Sequence, residues 1–131
     1  MENKKNKFWI RGHKSWGLGL KAEKEIEKLL PNSILCRNID LIWRGLKIEV
    51  KATTKNIGNS FLFKCPNNNP DVVIFVAFAK DYETIKHIWL INKKDFKDVK
   101  MGFRTSFNIN KKPTAKYLVK NHNMLNNLIL R

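Results

Sequence analysis

The chain has no glutamine, and acidic residues are scarce: 11 Asp and Glu stand against 26 Lys and Arg in 131 residues, a formal net charge of +15. A fold does not need that excess of one sign. It implies a polyanionic partner, nucleic acid first and an anionic membrane surface second. The two cysteines, Cys36 and Cys65, are too few for a disulfide framework or a four-ligand zinc site, and they read as buried or inert reduced thiols. No apolar run approaches the roughly 18 residues of a membrane span. The basic N-terminus lacks the apolar stretch of a signal peptide. These absences predict a cytoplasmic protein, or one of the host cytoplasm if viral, with no membrane partner.

Hydrophobic residues make up 43% of the chain, enough for one core, and the length suits a single domain over residues 1–131. There is no internal repeat and no linker long enough to divide it. Charge is uneven along the chain. Residues 1–21 carry six basic residues and one acidic, residues 22–91 ten and eight, and residues 92–131 ten and two. A nearly neutral core with a basic N-terminal arm (about 1–16) and a basic C-terminal segment (about 92–131) is expected, the two ends serving as contact surfaces.

Leu18, Ala22, Ile26, Leu29 and Leu30 recur at helical spacing, predicting a helix from Leu18 to Leu30 that Pro31 stops. Gly17 and Gly19 blur its start. Residues 34–37 form a weak strand-like run. Asp40 to Trp43, the turn Arg44-Gly45 and the alternating run Leu46 to Lys51 read as a β-hairpin. Leu46, Ile48 and Val50 share one face of the second arm, and Lys47, Glu49 and Lys51 the other. Thr53 to Ser60 reads as a polar loop and residues 61–63 as a short apolar piece. Val72 to Phe78 is apolar throughout, as in a central strand covered on both faces, typically by helices. Ile85 to Ile91 reads as its hairpin partner. Residues 113–121 and 124–130 look helical. The expected fold is α/β, a mixed central sheet flanked by helices.

Asp40, Glu49 and Lys51 carry the chemistry. Both acids sit in strands flanked by apolar residues, whereas acids usually occupy loops. Two carboxylates at adjacent strand ends, with the Val50 carbonyl between Glu49 and Lys51 as a further oxygen, suit a hard cation such as Mg²⁺. A lysine beside such a site can orient a water and stabilise developing phosphate charge. The plain alternative is a solvated strand face with an ordinary Glu–Lys alternation. Glu23 adjoins Ala22 on the helix's apolar stripe and so can point inward; its alternative is a solvated face balanced by Lys24 and Lys28.

Over residues 17 to about 91 the chain resembles the PD-(D/E)xK nuclease superfamily, which includes type II restriction enzymes, archaeal Holliday junction resolvases and some homing endonucleases. The resemblance rests on Gly19-Leu20-Lys21-Ala22-Glu23 opening the helix, Ile39-Asp40-Leu41-Ile42 as the first acidic motif, and Ile48-Glu49-Val50-Lys51 as the E-x-K motif. Ile39 stands where the motif's name has proline, and no glutamine follows the E-x-K triplet. The resemblance implies a restriction-endonuclease-like core. It also implies Mg²⁺, with Mn²⁺ able to substitute, held by Asp40, Glu49 and the Val50 carbonyl. Lys51 would assist the water, and Glu23 would supply a helix-borne acid. The implied activity is phosphodiester hydrolysis in duplex or branched DNA, structure-specific or site-specific, with a homodimer needed to cut both strands. The rival expectation is a non-catalytic nucleic-acid-binding protein, or a nuclease fold acting as a partner subunit.

Arg11 and Lys14 in the N-terminal arm, and Arg104, Lys111, Lys112 and Lys116 in the tail, are the expected phosphate contacts. Phe75, Phe78 and Trp89 are expected in the core. His87 and His122 are expected as isolated surface residues, and His13 as part of the flexible basic arm.

Overall fold

The computed structural model describes residues 4–36, 40–64, 66, 69–99 and 104–129, with side chains from residue 17 onward. It opens with helix α1, Lys4–Leu29, followed by strands β1 (Ile34–Leu35), β2 (Leu41–Trp43) and β3 (Leu46–Thr53). Next come β4 (Asn56–Ile57), β5 (Ser60–Lys64), β6 (Val72–Phe78), β7 (Ile85–Asn92) and β8 (Arg104–Asn108). Short 3₁₀ helices cover Lys93–Asp98, Thr114–Tyr117 and His122–Leu128. Five strands form a mixed sheet in the order β1-β2-β3-β6-β7, and three form an antiparallel sheet in the order β4-β5-β8. The architecture is α/β.

The helix begins earlier than its apolar stripe suggests. Its backbone runs unbroken from Lys4 through Gly17 and Gly19, so residues 4–16 are helical rather than a flexible arm. Leu18, Ala22, Ile26 and Leu30 are buried at four-residue spacing, the face that drives it onto the sheet. Pro31 ends it as the sequence predicts, and Asn32 after it is left-handed (φ 68°).

The hairpin forms at the predicted place. Arg44 and Gly45 have φ of 50° and 81°, so both central turn residues are left-handed. That geometry matches the right-handed twist of the flanking strands. β3 then pairs in parallel with β6, Glu49 opposite Val73 and Lys51 opposite Phe75. A parallel pair needs a crossover connection, usually a helix. Here the crossover instead contains the β4–β5 hairpin, folded over the sheet. Asp71 ties the strand starts together: Lys47 N–H donates to its Oδ2 at 2.9 Å, its own N–H to Lys47 O at 2.8 Å, and Lys93 N–H to its carbonyl at 3.0 Å.

All seven residues of β6 are buried, because the sheet is covered on both faces. The expectation of helices on both is corrected. α1 covers one face, joined by Val119, Leu125 and Ile129 from the tail. The second sheet covers the other, with Phe61, Phe63 and Phe107 packed on Val73, Phe75 and Trp89. The rings of Phe75 and Phe107 lie 4.3 Å apart, and those of Phe63 and Phe75 5.0 Å. Each buried Phe contributes roughly 1.5–3 kcal/mol of burial free energy.

The tail is part of this body. The helices expected over 113–121 and 124–130 are short 3₁₀ turns, and β8, which the charge-based reading passed over, completes the second sheet. Val119 N–H donates to Ile88 O at 2.7 Å, so the tail runs along the open edge of β7 and covers it. Among the described residues no helix is long and apolar enough to cross a membrane.

Candidate functional site

The hairpin ladder ends with Leu41 opposite Ile48. Asp40 is therefore one residue past the last paired position, at the hairpin mouth beside Glu49. There its Oδ2 accepts a hydrogen bond from Val50 N–H at 2.6 Å. The carboxylate takes the amide that a longer β2 would have used. In an antiparallel ladder the N–H and C=O of one residue point toward the same neighbouring strand. The Val50 carbonyl is thus directed to the side on which Asp40 sits.

Glu49 and Lys51 alternate with Ile48 and Val50, which belong to the core under α1. Their side chains leave the opposite face, toward the second sheet. That face is not solvated. Glu49 is only 6% exposed, and its Oε1 lies 3.3 Å from the half-buried Lys51 Nζ. The plain reading of a wet strand face is thereby overturned: the second sheet, whose strands come from distant sequence, covers it.

Glu23 reaches Asp40 from α1. It is half-buried, and its carboxyl is pushed up to about 7, first by burial, then by a hydrogen bond with Asp40 and by that residue's negative charge. Of its alternatives, the inward-facing one holds. Glu27 is also half-buried. Glu23 meets Asp40 at the hairpin mouth, where Asp40 holds the Val50 amide, and Glu49 pairs with Lys51 on β3. Among the described residues no three Asp, Glu, His or Cys side chains already converge as a cation cage. Glu23 with Asp40, and Glu49 with Lys51, stand as two adjoining pairs.

As a donor set they still suit a hard cation. The three acids offer only oxygens, and two carboxylates in contact repel in a way that a cation would relieve. An open groove of about 370 Å³ between α1 and the β6–β7 turn, lined by Gly17, Leu18, Lys21, Asp81, Tyr82 and Glu83, contains none of these four residues.

The expected phosphate contacts divide. The side chains of Arg11 and Lys14 lie outside the described residues, as does that of His13. Arg104 is exposed on β8, Lys111 and Lys112 on the turn that follows, and Lys116 on the 3₁₀ helix Thr114–Tyr117. Lys64, which sequence reading did not single out, lies directly opposite Arg104 in the β5–β8 ladder. Only the register between distant strands could have found it.

Other expectations need correction. His87 and His122 are not isolated surface residues. Both are half-buried, burial lowers both pKa values, and the His122 charge acts on His87. The His87 ring packs 5.3 Å from Phe61. Cys36 is half-buried, its thiol 3.7 Å from Ile34 O, while Cys65 lies outside the described residues. Phe75, Phe78 and Trp89 are core residues, as expected, and so is Trp43, whose indole N–H donates to Pro31 O at 3.0 Å. No family model matches the chain, and no curated protein matches it.

Proposed function

We propose that this protein is a metal-dependent nuclease of the PD-(D/E)xK type that hydrolyses phosphodiester bonds in DNA. The observation that carries the reading is the seating of Asp40 on the Val50 amide, in the middle of the Glu49-Val50-Lys51 triplet, with Glu23 brought against it from α1. The order of helix, hairpin, parallel β6 and antiparallel β7 supports the reading of a restriction-endonuclease-like core, with a β-hairpin rather than a helix in the crossover from β3 to β6. The net charge of +15 supplies the attraction for a polyanion.

Asp40, Glu49 and the Val50 carbonyl would hold Mg²⁺, or Mn²⁺ in its place. Once bound, the cation would polarise the scissile phosphate and lower the pKa of a coordinated water. The protein's own groups do the rest. Lys51 Nζ, held at 3.3 Å by Glu49, is positioned to orient the attacking water and to stabilise charge growing on the phosphoryl oxygens. Glu23 anchors Asp40 and holds a proton near neutrality. A single domain offers one cutting centre, so a double-strand cut would take a homodimer.

The second reading, a nucleic-acid-binding protein without catalysis, draws on the Glu49–Lys51 pair, which must open or be joined for a cation to reach Glu49. Incubation of supercoiled, linear and four-way-junction DNA with the protein, with and without Mg²⁺, decides between them. Mg²⁺-dependent nicking that Asp40→Ala and Glu49→Ala abolish, with DNA binding kept, supports the nuclease. Binding with no cleavage under either condition supports the second reading.

A further inference from the structure

The outer face of the second sheet has a charge pattern that folding alone does not explain. Lys64 and Arg104 sit directly opposite each other at one end of the β5–β8 ladder, and both are exposed. Like charges in directly opposed strand positions destabilise a sheet. Neither forms an ion pair among the described residues. The flanking segments, 65–70 and 99–103, contain no acidic residue and add Lys100. β4, β5 and β8 contain no Asp or Glu at all.

The opposite end of the same ribbon is also cationic. Ser60 pairs with Asn108 there, and Asn108 Nδ2 donates to Ser60 Oγ at 2.9 Å. The amides of Asn110 and Lys111 donate to Asn108 Oδ1 at 2.7 and 2.9 Å, which fixes the start of the exposed Lys111-Lys112 pair beside the ribbon. Between the two cationic ends the outward side chains of β8 are Ser106 and Asn108, small donors and acceptors. Four residues of strand span about 13 Å. The major groove of B-DNA is about 12 Å wide and admits a two-stranded ribbon.

We infer that the outer face of the β5–β8 ribbon is a docking surface for duplex DNA, with Lys64 and Arg104 contacting phosphates on one side of a groove and Lys111 and Lys112 those on the other. The ribbon lies on the side of the main sheet toward which Glu49 and Lys51 project. The inference rests on the DNA-binding part of the proposed function and not on its metal chemistry.

The test is fluorescence anisotropy with a 20-base-pair DNA duplex at several salt concentrations, without divalent metal. Lys64→Thr/Arg104→Thr keeps strand-forming residues while removing two charges; Lys24→Thr/Lys94→Thr removes the same charge from exposed positions elsewhere. The first variant should bind about tenfold or more weakly at physiological salt, with the slope of log affinity against log salt shallower by about 2. The control should stay within about twofold of wild type. A separate variant, Lys64→Glu, places opposite charges across the ladder. It should raise Tm by a few degrees while weakening binding, a combination that a purely structural role cannot produce. Wild-type affinity and slope in Lys64→Thr/Arg104→Thr would overturn the inference alone. Equal loss in the control would assign binding to net charge and also overturn it. Absence of binding by the wild-type protein would overturn both it and the DNA-binding reading.

Discussion

Replacing Glu23 with Gln tests the contact between α1 and the hairpin mouth without any assumption about catalysis. The Glu23 carboxyl is raised from 4.5 to about 7. A carboxyl raised in the folded state binds its proton more tightly there than in the unfolded chain. The stability linked to it is fully present below about pH 4.5 and is lost as pH rises through about 7. At about 1.4 kcal/mol per pH unit, a fully desolvated group would contribute about 3 kcal/mol. Glu23 is half-buried, and solvent screening brings the expectation to about 1 kcal/mol. Urea titrations in chelator from pH 5 to 8 should therefore show wild type losing about 1 kcal/mol relative to Glu23→Gln over that range. The two half-buried histidines act in the opposite sense. Their lowered pKa values make stability fall as pH drops below about 6.5, and the difference between wild type and variant cancels them. Asp40→Asn should flatten the wild-type profile as well, since the Asp40 charge is one cause of the shift. Parallel profiles for wild type and Glu23→Gln would refute the contact.

Under the proposed nuclease function, Lys51→Ala should lower Mg²⁺-dependent cleavage by roughly 10²-fold. It should also cost about 1–3 kcal/mol in urea unfolding, because it removes a cationic partner 3.3 Å from the 6%-exposed Glu49. A β-carbon at Gly17 or Gly19 would meet nothing within 4 Å, and both lie inside α1. Each change to Ala should stabilise the protein by about 0.5–1 kcal/mol in thermal unfolding; a loss would mean that the helix does not run through them. Phe107→Ala removes a fully buried ring packed against Phe75, Phe63 and Trp89, and should cost about 3–5 kcal/mol by urea unfolding. A cost below about 1 kcal/mol would place β8 outside the core.

The sequence by itself determined what short-range physics decides. Apolar spacing marked the buried stripe of α1 from Leu18 to Leu30, and Pro31 with Asn32 ended it. Arg44-Gly45 marked the hairpin turn, alternation set the two faces of β3, and an unbroken apolar run marked β6 as central. Asp40 and Glu49 were legible for the same reason: acids among β-forming residues conflict with local preference, and the conflict can be read residue by residue. Tertiary structure alone decided which of those faces is wet and which side chains meet. Thr53 to Ser60 looked like a loop, and residues 104–108 looked like a piece of basic tail. Each is a weak strand until β5 and β8 pair, because a strand two to five residues long gains its stability from partners distant in sequence. That pairing buries Glu49, sets Lys64 opposite Arg104 and folds the tail into the core. Docking of α1 likewise brings Glu23 to Asp40 across 17 residues of sequence. Local pattern fixes which residues form an element, whereas register and packing between elements depend on contacts that no stretch of adjacent residues encodes.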